Sequence, residues 1–149
     1  RFRKFRHALP EKVNDTVRKR GYMKMGTDYA VPVARSREML AHYRNGLAGF
    51  PGDGVVYGHV GDAHLHVNLM PANDAEKELS WELMHTWARQ AVALGGTVGA
   101  EHGLGKRKRH LLELMYSPEE IGAMRAVKQR LDPAWVLGRG NLFPAPDER

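Results

Sequence analysis

The chain has 149 residues, 42% of them hydrophobic, which suits a single domain with a core of its own. It contains no cysteine, which excludes disulfides, thiolate metal sites and cysteine nucleophiles, so any metal must be held by His, Asp or Glu. The net charge of +6 favours anionic partners. Only the first six residues, however, interleave cations with aromatics, and nucleic-acid binding is not expected.

No apolar run approaches the ~20 residues of a membrane span, so no transmembrane segment is expected. No signal-peptide pattern opens the chain. Because the first residue is Arg rather than Met, the start of the parent protein is expected upstream. In chain order, Arg1 to about Leu9 reads as an amphipathic helix with Phe2, Phe5 and Leu9 on its buried face, stopped by Pro10. Tyr22 to Val31 reads as extended and ends at Pro32. Ser36 is placed as the cap of a helix whose apolar face is Met39, Leu40, Tyr43 and Leu47. Gly52-Asp53-Gly54 is a turn, followed by strands at about 55–60 and 64–70. Asn73 with Glu76 makes a capping box for a long helix. Its stripe is Leu83, Met84, Trp87, Ala91 and Leu94, and Gly95-Gly96 ends it. Trp81 and Trp87 are assigned to core or interface. Thr97 to Glu101 reads as a short last strand. Lys106-Arg107-Lys108-Arg109 covers the solvated start of a helix continuing through Leu111, Leu112, Leu114 and Met115. Ser117-Pro118-Glu119-Glu120 opens a final helix that runs to about Leu131 and stops at Asp132-Pro133. Strands and helices alternate, but a hairpin makes the sheet at least partly antiparallel. The expected class is α+β, a sheet with helices packed on one face.

Two stretches carry potential chemistry. The first, Tyr57-Gly58-His59-Val60-Gly61-Asp62-Ala63-His64-Leu65-His66-Val67-Asn68, reads as a β-hairpin. With Asp62 and Ala63 as the two loop residues, position 60 pairs with 65 and 59 with 66. His59 and His66 then lie opposite each other on one face, Cβ atoms about 4.5–5.5 Å apart. That spacing suits two imidazoles on one divalent cation. Alternation puts Tyr57, His59, His66 and Asn68 on this side and Leu65, Val67 and Leu69 on the other. The second stretch, Gly99-Ala100-Glu101-His102-Gly103-Leu104-Gly105, sets an acid and an imidazole among glycines, where backbone turns sharply or approaches something closely. Glu101 would complete a His₂-carboxylate set. A glycine-induced bend would then let His102 face a substrate as general base. Each histidine taken alone is more simply a partner on a solvated sheet, and Glu101 alone a charge at a helix start. The combination points to a site.

Together these motifs resemble the C-terminal domain of the FAD-linked oxidases of the vanillyl-alcohol-oxidase type. The branch is that of D-lactate dehydrogenases, glycolate oxidase flavoprotein subunits and D-2-hydroxyglutarate dehydrogenases. That family shows Gly-His-Val-Gly-Asp-Gly-Asn-Leu-His where this chain has Gly58 to His66, and Gly-Glu-His-Gly-Ile-Gly where it has Ala100 to Gly105. Thr27 to Pro32 and Lys128 to Pro133 also match its usual run. The resemblance spans about Arg1 to Phe143. It implies a ferredoxin-like fold and a cap domain, here residues 1–149, that forms the substrate site beside an FAD-binding N-terminal domain lying outside this chain. It also implies oxidation of a small 2-hydroxy acid, of the D-lactate, glycolate or D-2-hydroxyglutarate class, by hydride transfer to FAD. His59, His66 and Glu101 would hold a divalent metal, commonly zinc, and His102 would take the hydroxyl proton. Asn68 is assigned to substrate, and Arg6 to the substrate carboxylate, because related enzymes carry such an arginine near His7-Ala8-Leu9-Pro10. On this reading the chain alone is inactive, and the expected localisation is cytoplasmic, peripheral to a membrane at most.

Two departures stand out. Ala63 and His64 replace the family's Gly-Asn at the hairpin tip, where alanine tolerates positive φ poorly and His64 is expected on the face opposite His66. Gly138-Arg139-Gly140-Asn141 stands where members usually have Asn-Pro-Gly-Lys, a segment that approaches the flavin. Two other readings compete. His64-Leu65-His66-Val67-Asn68 is similar to the His-x-His-x-His strand of histidine-triad nucleotide hydrolases, with Asn68 in place of the third histidine. A stand-alone ferredoxin-like module that binds a small acid or metal is the other.

Overall fold

The computed structural model describes residues 2–147, excluding the side chains of residues 2 and 5–7. The first helix, α1, spans Phe2–Arg20 and carries Pro10 inside it, so the expected stop at Pro10 is not observed. Proline removes one ladder hydrogen bond, but the turns beyond it are held from outside the helix. Val13 is buried, and Arg20 donates to the Met70 carbonyl at 2.6 Å while pairing with Asp53. Tertiary contacts therefore override the local breaker.

The sheet has three antiparallel strands, β1 (Met25–Gly26), β2 (Asp53–His59) and β3 (His64–Met70), in the order β1-β3-β2. Beyond β1 the chain still follows its neighbours through single bridges, Ala30 with His64 and Ala30 with Thr97. Thr97 is thus the remnant of the expected last strand, on the outer side of β1. With the helices α2 (Ser36–Ala48) and α3 (Asp74–Ala93) between these segments, the order β1-α2-β2-β3-α3-Thr97 is that of a split βαβ, ferredoxin-like α+β fold. Leu65, Val67 and Leu69 alternate onto the helix side. There Tyr43 and Trp87 meet edge-on at 5.3 Å, and the Trp87 indole N–H donates to the His42 carbonyl. Tyr29, almost fully buried, donates its hydroxyl to the Met84 carbonyl at 3.1 Å and ties the β1 segment to α3. Burial pushes that phenol well above its ordinary pKa.

Other boundaries follow local chemistry. Asn73 caps α3 by accepting from the Glu76 N–H. The last helix, α4 (Pro118–Leu131), opens on a full capping box between Ser117 and Glu120. Ser36 is the first residue of α2 rather than its cap, because a 3₁₀ turn over Val33–Arg35 leads in and the Ser36 N–H bonds the Val33 carbonyl. Asp53 and Gly54, expected in a turn, already belong to β2. The run through Leu111 and Leu112 is a 3₁₀ helix, Arg109–Leu114, rather than an α-helix.

The hairpin register differs from the expected one. His59 pairs with His64 and Tyr57 with His66, because the loop uses four residues rather than two. Val60–Asp62 form a 3₁₀ turn, and Ala63 closes it in the left-handed region at φ 49. The shift is two residues, so the side chains keep their face. His64 begins β3, as the expected strand 64–70 has it, but two residues from His66 it shares that residue's face, against expectation. At Gly58, φ is +152 and an added Cβ would stand 2.5 Å from the His64 carbonyl oxygen. Gly58→Ala is expected to cost at least about 1–3 kcal/mol through backbone strain, with a clash in addition. A thermal melt reads this loss, and an unchanged midpoint would contradict the register.

A second histidine pair ties the 3₁₀ segment to α3. His85 and His110 stack at 4.7 Å and 13°, their Nε2 atoms 3.1 Å apart, and Trp81 meets both rings at its edges. Burial and the adjacent His85 ring lower the His110 pKa, against an opposing pull from Glu113. Its folded value therefore lies below its unfolded one, and the unfolded chain binds the extra proton first. Stability from this pair is full above about pH 6.5, the ordinary histidine value, and falls as pH drops below it. The melting temperature should fall more between pH 7.5 and 5.5 in wild type than in His110→Gln. Parallel curves would exclude the coupling.

Candidate active site

The polar face of the hairpin meets the loop 99–105 across β1. Gly26 pairs with Asn68 and Ala30 with His64, so Asp28 falls beside His66 on the same face. Thr27 locks this arrangement, its N–H donating to the Val67 carbonyl and its hydroxyl accepting from the Val67 N–H, both at 2.9 Å. Asp28 is 1% exposed. Its Oδ2 accepts from the backbone N–H of His102 at 2.9 Å and of Glu101 at 3.2 Å, while Oδ1 lies 3.0 Å from His64 Nε2. Burial raises the Asp28 pKa, but those two N–H groups and the charges of His102 and Lys108 outweigh it and hold the carboxyl below the usual range. Asp28 is therefore the clasp that fixes the loop. Gly103 and Gly105, at φ 67 and 55, make the bend that returns the chain.

In this bend Glu101 and His102 do not alternate as on a strand. Both reach the hairpin. Glu101 Oε1 lies 3.1 Å from His66 Nε2 and 3.2 Å from His102 Nε2, and Oε2 lies 3.7 Å from His59 Nε2. The expected group of His59, His66, Glu101 and His102 is thus brought together. His66 Nδ1 lies 3.1 Å from the Thr27 carbonyl, an acceptor only, so Nδ1 carries the proton. In a neutral ring, Nε2 then directs a lone pair at a carboxylate oxygen. A cation between them resolves that opposition, and a carbonyl holding the other ring nitrogen is the usual support of a metal-binding histidine. The residues fit a divalent cation.

Beside this cluster is a cavity of about 270 Å³, its walls formed by Lys24, Thr27, Tyr57, His66, Asn68, His102 and Lys108. The Asn68 amide nitrogen is buried and has no hydrogen-bond partner. Burial lowers the Lys108 pKa, with Asp28 pulling the other way. His102 is two-thirds exposed, at the mouth. Of the expected site residues, the Arg6 side chain lies outside the described set, as do the Phe2 and Phe5 side chains assigned to the buried face of the first helix. Asp28, His64 and Lys108 were not anticipated from sequence. The available signal for Asp28 was a carboxylate leading directly into the apolar, extended Tyr29-Ala30-Val31 segment.

Comparison with known proteins bears on the family of the chain. Residues 1–142 match the family described as "FAD linked oxidases, C-terminal domain". The chain is 31% identical over 139 residues to the mitochondrial D-2-hydroxyglutarate dehydrogenase of Danio rerio, covering 92% of this chain and 25% of that protein. It is 29% identical over 126 residues to the mitochondrial D-lactate dehydrogenase [cytochrome] of Arabidopsis thaliana, covering 83% and 22%. It is 34% identical over 116 residues to an uncharacterized FAD-linked oxidoreductase of Mycobacterium tuberculosis, covering 78% and 25%. The chain spans about a quarter of the length of these relatives. It belongs to the family of C-terminal domains of FAD-linked oxidases.

Proposed function

We propose that residues 1–149 are the substrate-binding cap of a longer FAD-dependent oxidoreductase that oxidises a small 2-hydroxy acid to the 2-oxo acid. The observation that carries this reading is His102 at the mouth of a cavity beside Glu101 and His66. In the reaction the hydroxyl oxygen loses a proton, C2 loses a hydride, and a carbonyl forms between them. His102 Nε2 accepts the proton, the role its exposed position at the cavity suits. Asn68, with an unpartnered buried amide, donates to a substrate oxygen. Lys108 and Lys24 are the described cations facing the cavity, and they balance the carboxylate, with Arg6 as the sequence candidate for the same task. His66 and Glu101, with His59 alongside, hold a divalent cation, and the imidazole-carboxylate donor set favours zinc. When bound, that cation supplies positive charge to the hydroxy acid's oxygens, and FAD in the N-terminal part of the protein supplies the hydride acceptor.

The nucleotide-hydrolase alternative fits less well. Its strand needs a third histidine where this chain has Asn68, and the His66 Nδ1 is already committed to the Thr27 carbonyl. No described helix is long and apolar enough to cross a membrane. The assay is the complete protein with an artificial electron acceptor and a panel of 2-hydroxy acids, following the 2-oxo acid formed. D-Lactate, glycolate or D-2-hydroxyglutarate should yield product. Nucleotide phosphoramidate hydrolysis, with no oxo acid from any hydroxy acid, would overturn the proposal.

A further inference from the structure

We infer that His64 and Asp28 are themselves cation ligands, so that Asp28, His64, His66 and Glu101 form a four-donor site with His59 outside it. This rests on reading the cluster as a cation site, but not on which acid is oxidised. One ligand atom from each of the four lies within 4.8 Å of all the others. Zinc bonds of about 2.0–2.2 Å in a tetrahedron put donor atoms roughly 3.4 Å apart. The edges from His64 Nε2 to Asp28 Oδ1, 3.0 Å, and from His66 Nε2 to Glu101 Oε1, 3.1 Å, already stand near that value.

His59 is placed differently. Its Nε2 is 3.7 Å from Glu101 Oε2, the oxygen that does not face His66, and its side chain is 46% exposed. The side chains of His64 and Asp28 are 7% and 1% exposed. A buried imidazole and a buried carboxylate are expensive to desolvate unless they pair or bind a metal, and these two already meet. Asp28 Oδ2 is committed to the loop N–H groups, which leaves Oδ1 on the cluster side. Two imidazoles and two carboxylates also neutralise a divalent charge.

The donor at position 64 departs from the pattern the family resemblance supplies, which has Asn there. A three-donor set needs substrate oxygens to keep its cation. Four protein donors keep it without substrate. The pairing of Ala30 with His64 sets His64 beside Asp28, a long-range contact that the local sequence pattern does not reveal.

The test uses the complete protein with zinc as probe. Zinc affinity is measured by competition with a chromophoric chelator, and the imidazole count by X-ray absorption of the zinc-loaded protein. Wild type should retain one zinc per chain through gel filtration without any hydroxy acid, with two imidazoles bound. His64→Asn, which restores the family residue, should lose one imidazole. Its affinity should fall by more than the roughly 10–100-fold that removing a group which only orients a ligand costs. His59→Asn should keep both imidazoles and change affinity less than that. Circular dichroism checks folding, and His64→Gln serves if the Asn variant does not fold. Unaltered zinc affinity in the His64 variants, with an imidazole lost in His59→Asn, would overturn the assignment in favour of the three-donor set. A wild type that holds no zinc would overturn it too. Zinc held as described in a protein that oxidises no hydroxy acid would uphold this site while removing the reaction proposed above.

Discussion

Replacing His66 with Ala is expected to abolish cation-dependent turnover in the complete protein, with kcat/KM falling roughly 10³-fold or more. His66 joins the two halves of the site, since Nδ1 bonds the Thr27 carbonyl and Nε2 faces Glu101 at 3.1 Å. Without it, Glu101 loses its nearest hairpin imidazole. A metal contributes several kcal/mol of charge stabilisation in the transition state, and each 1.36 kcal/mol is tenfold in rate. The structural cost is smaller, about 0.5–1.5 kcal/mol for one hydrogen bond, so the variant should still fold. Metal content and kcat/KM measured together decide the matter. Unchanged values of both would count against any site at His66.

His102→Asn is expected to lower kcat by about 10²–10⁴-fold while leaving flavin binding intact, the usual contribution of a positioned general base. Its backbone N–H bonds the Asp28 carboxylate, and that contact survives a side-chain change. The loop therefore keeps its shape and only the proton acceptor is lost. Comparing kcat with the flavin content of the purified variant separates the two effects. A variant with near-full kcat would remove His102 from the chemistry and leave Glu101 as the nearest alternative acceptor.

Much of this site was legible because its signals are local. Helix starts at Asn73 and Ser117 follow from side-chain oxygens three residues before a glutamate, and both caps are observed. Strand alternation put His59, His66 and Asn68 on one face before any register was known, and a two-residue shift preserves that face. What depends on distant residues was not legible. Pro10 should stop a helix, and only the anchors of Val13 and Arg20 explain why it does not. The loop length of the hairpin depended on Ala63 accepting a left-handed conformation, which its side chain disfavours by about 1–2 kcal/mol. The contact of His64 with Asp28, 36 positions earlier in the chain, depends instead on the pairing of β3 with the β1 segment. Asp28 looked like one carboxylate in an extended stretch. Its role comes from three partners on two distant segments.

The most direct measurement is flavin reduction by the complete protein, mixed anaerobically with 2-hydroxy acids carrying hydrogen or deuterium at C2. The proposed reaction predicts bleaching of the oxidised flavin by at least one small hydroxy acid, slower with deuterium and slowed further in His102→Asn. A flavin that stays oxidised with every acid, or bleaches at the same rate without His102, would contradict it.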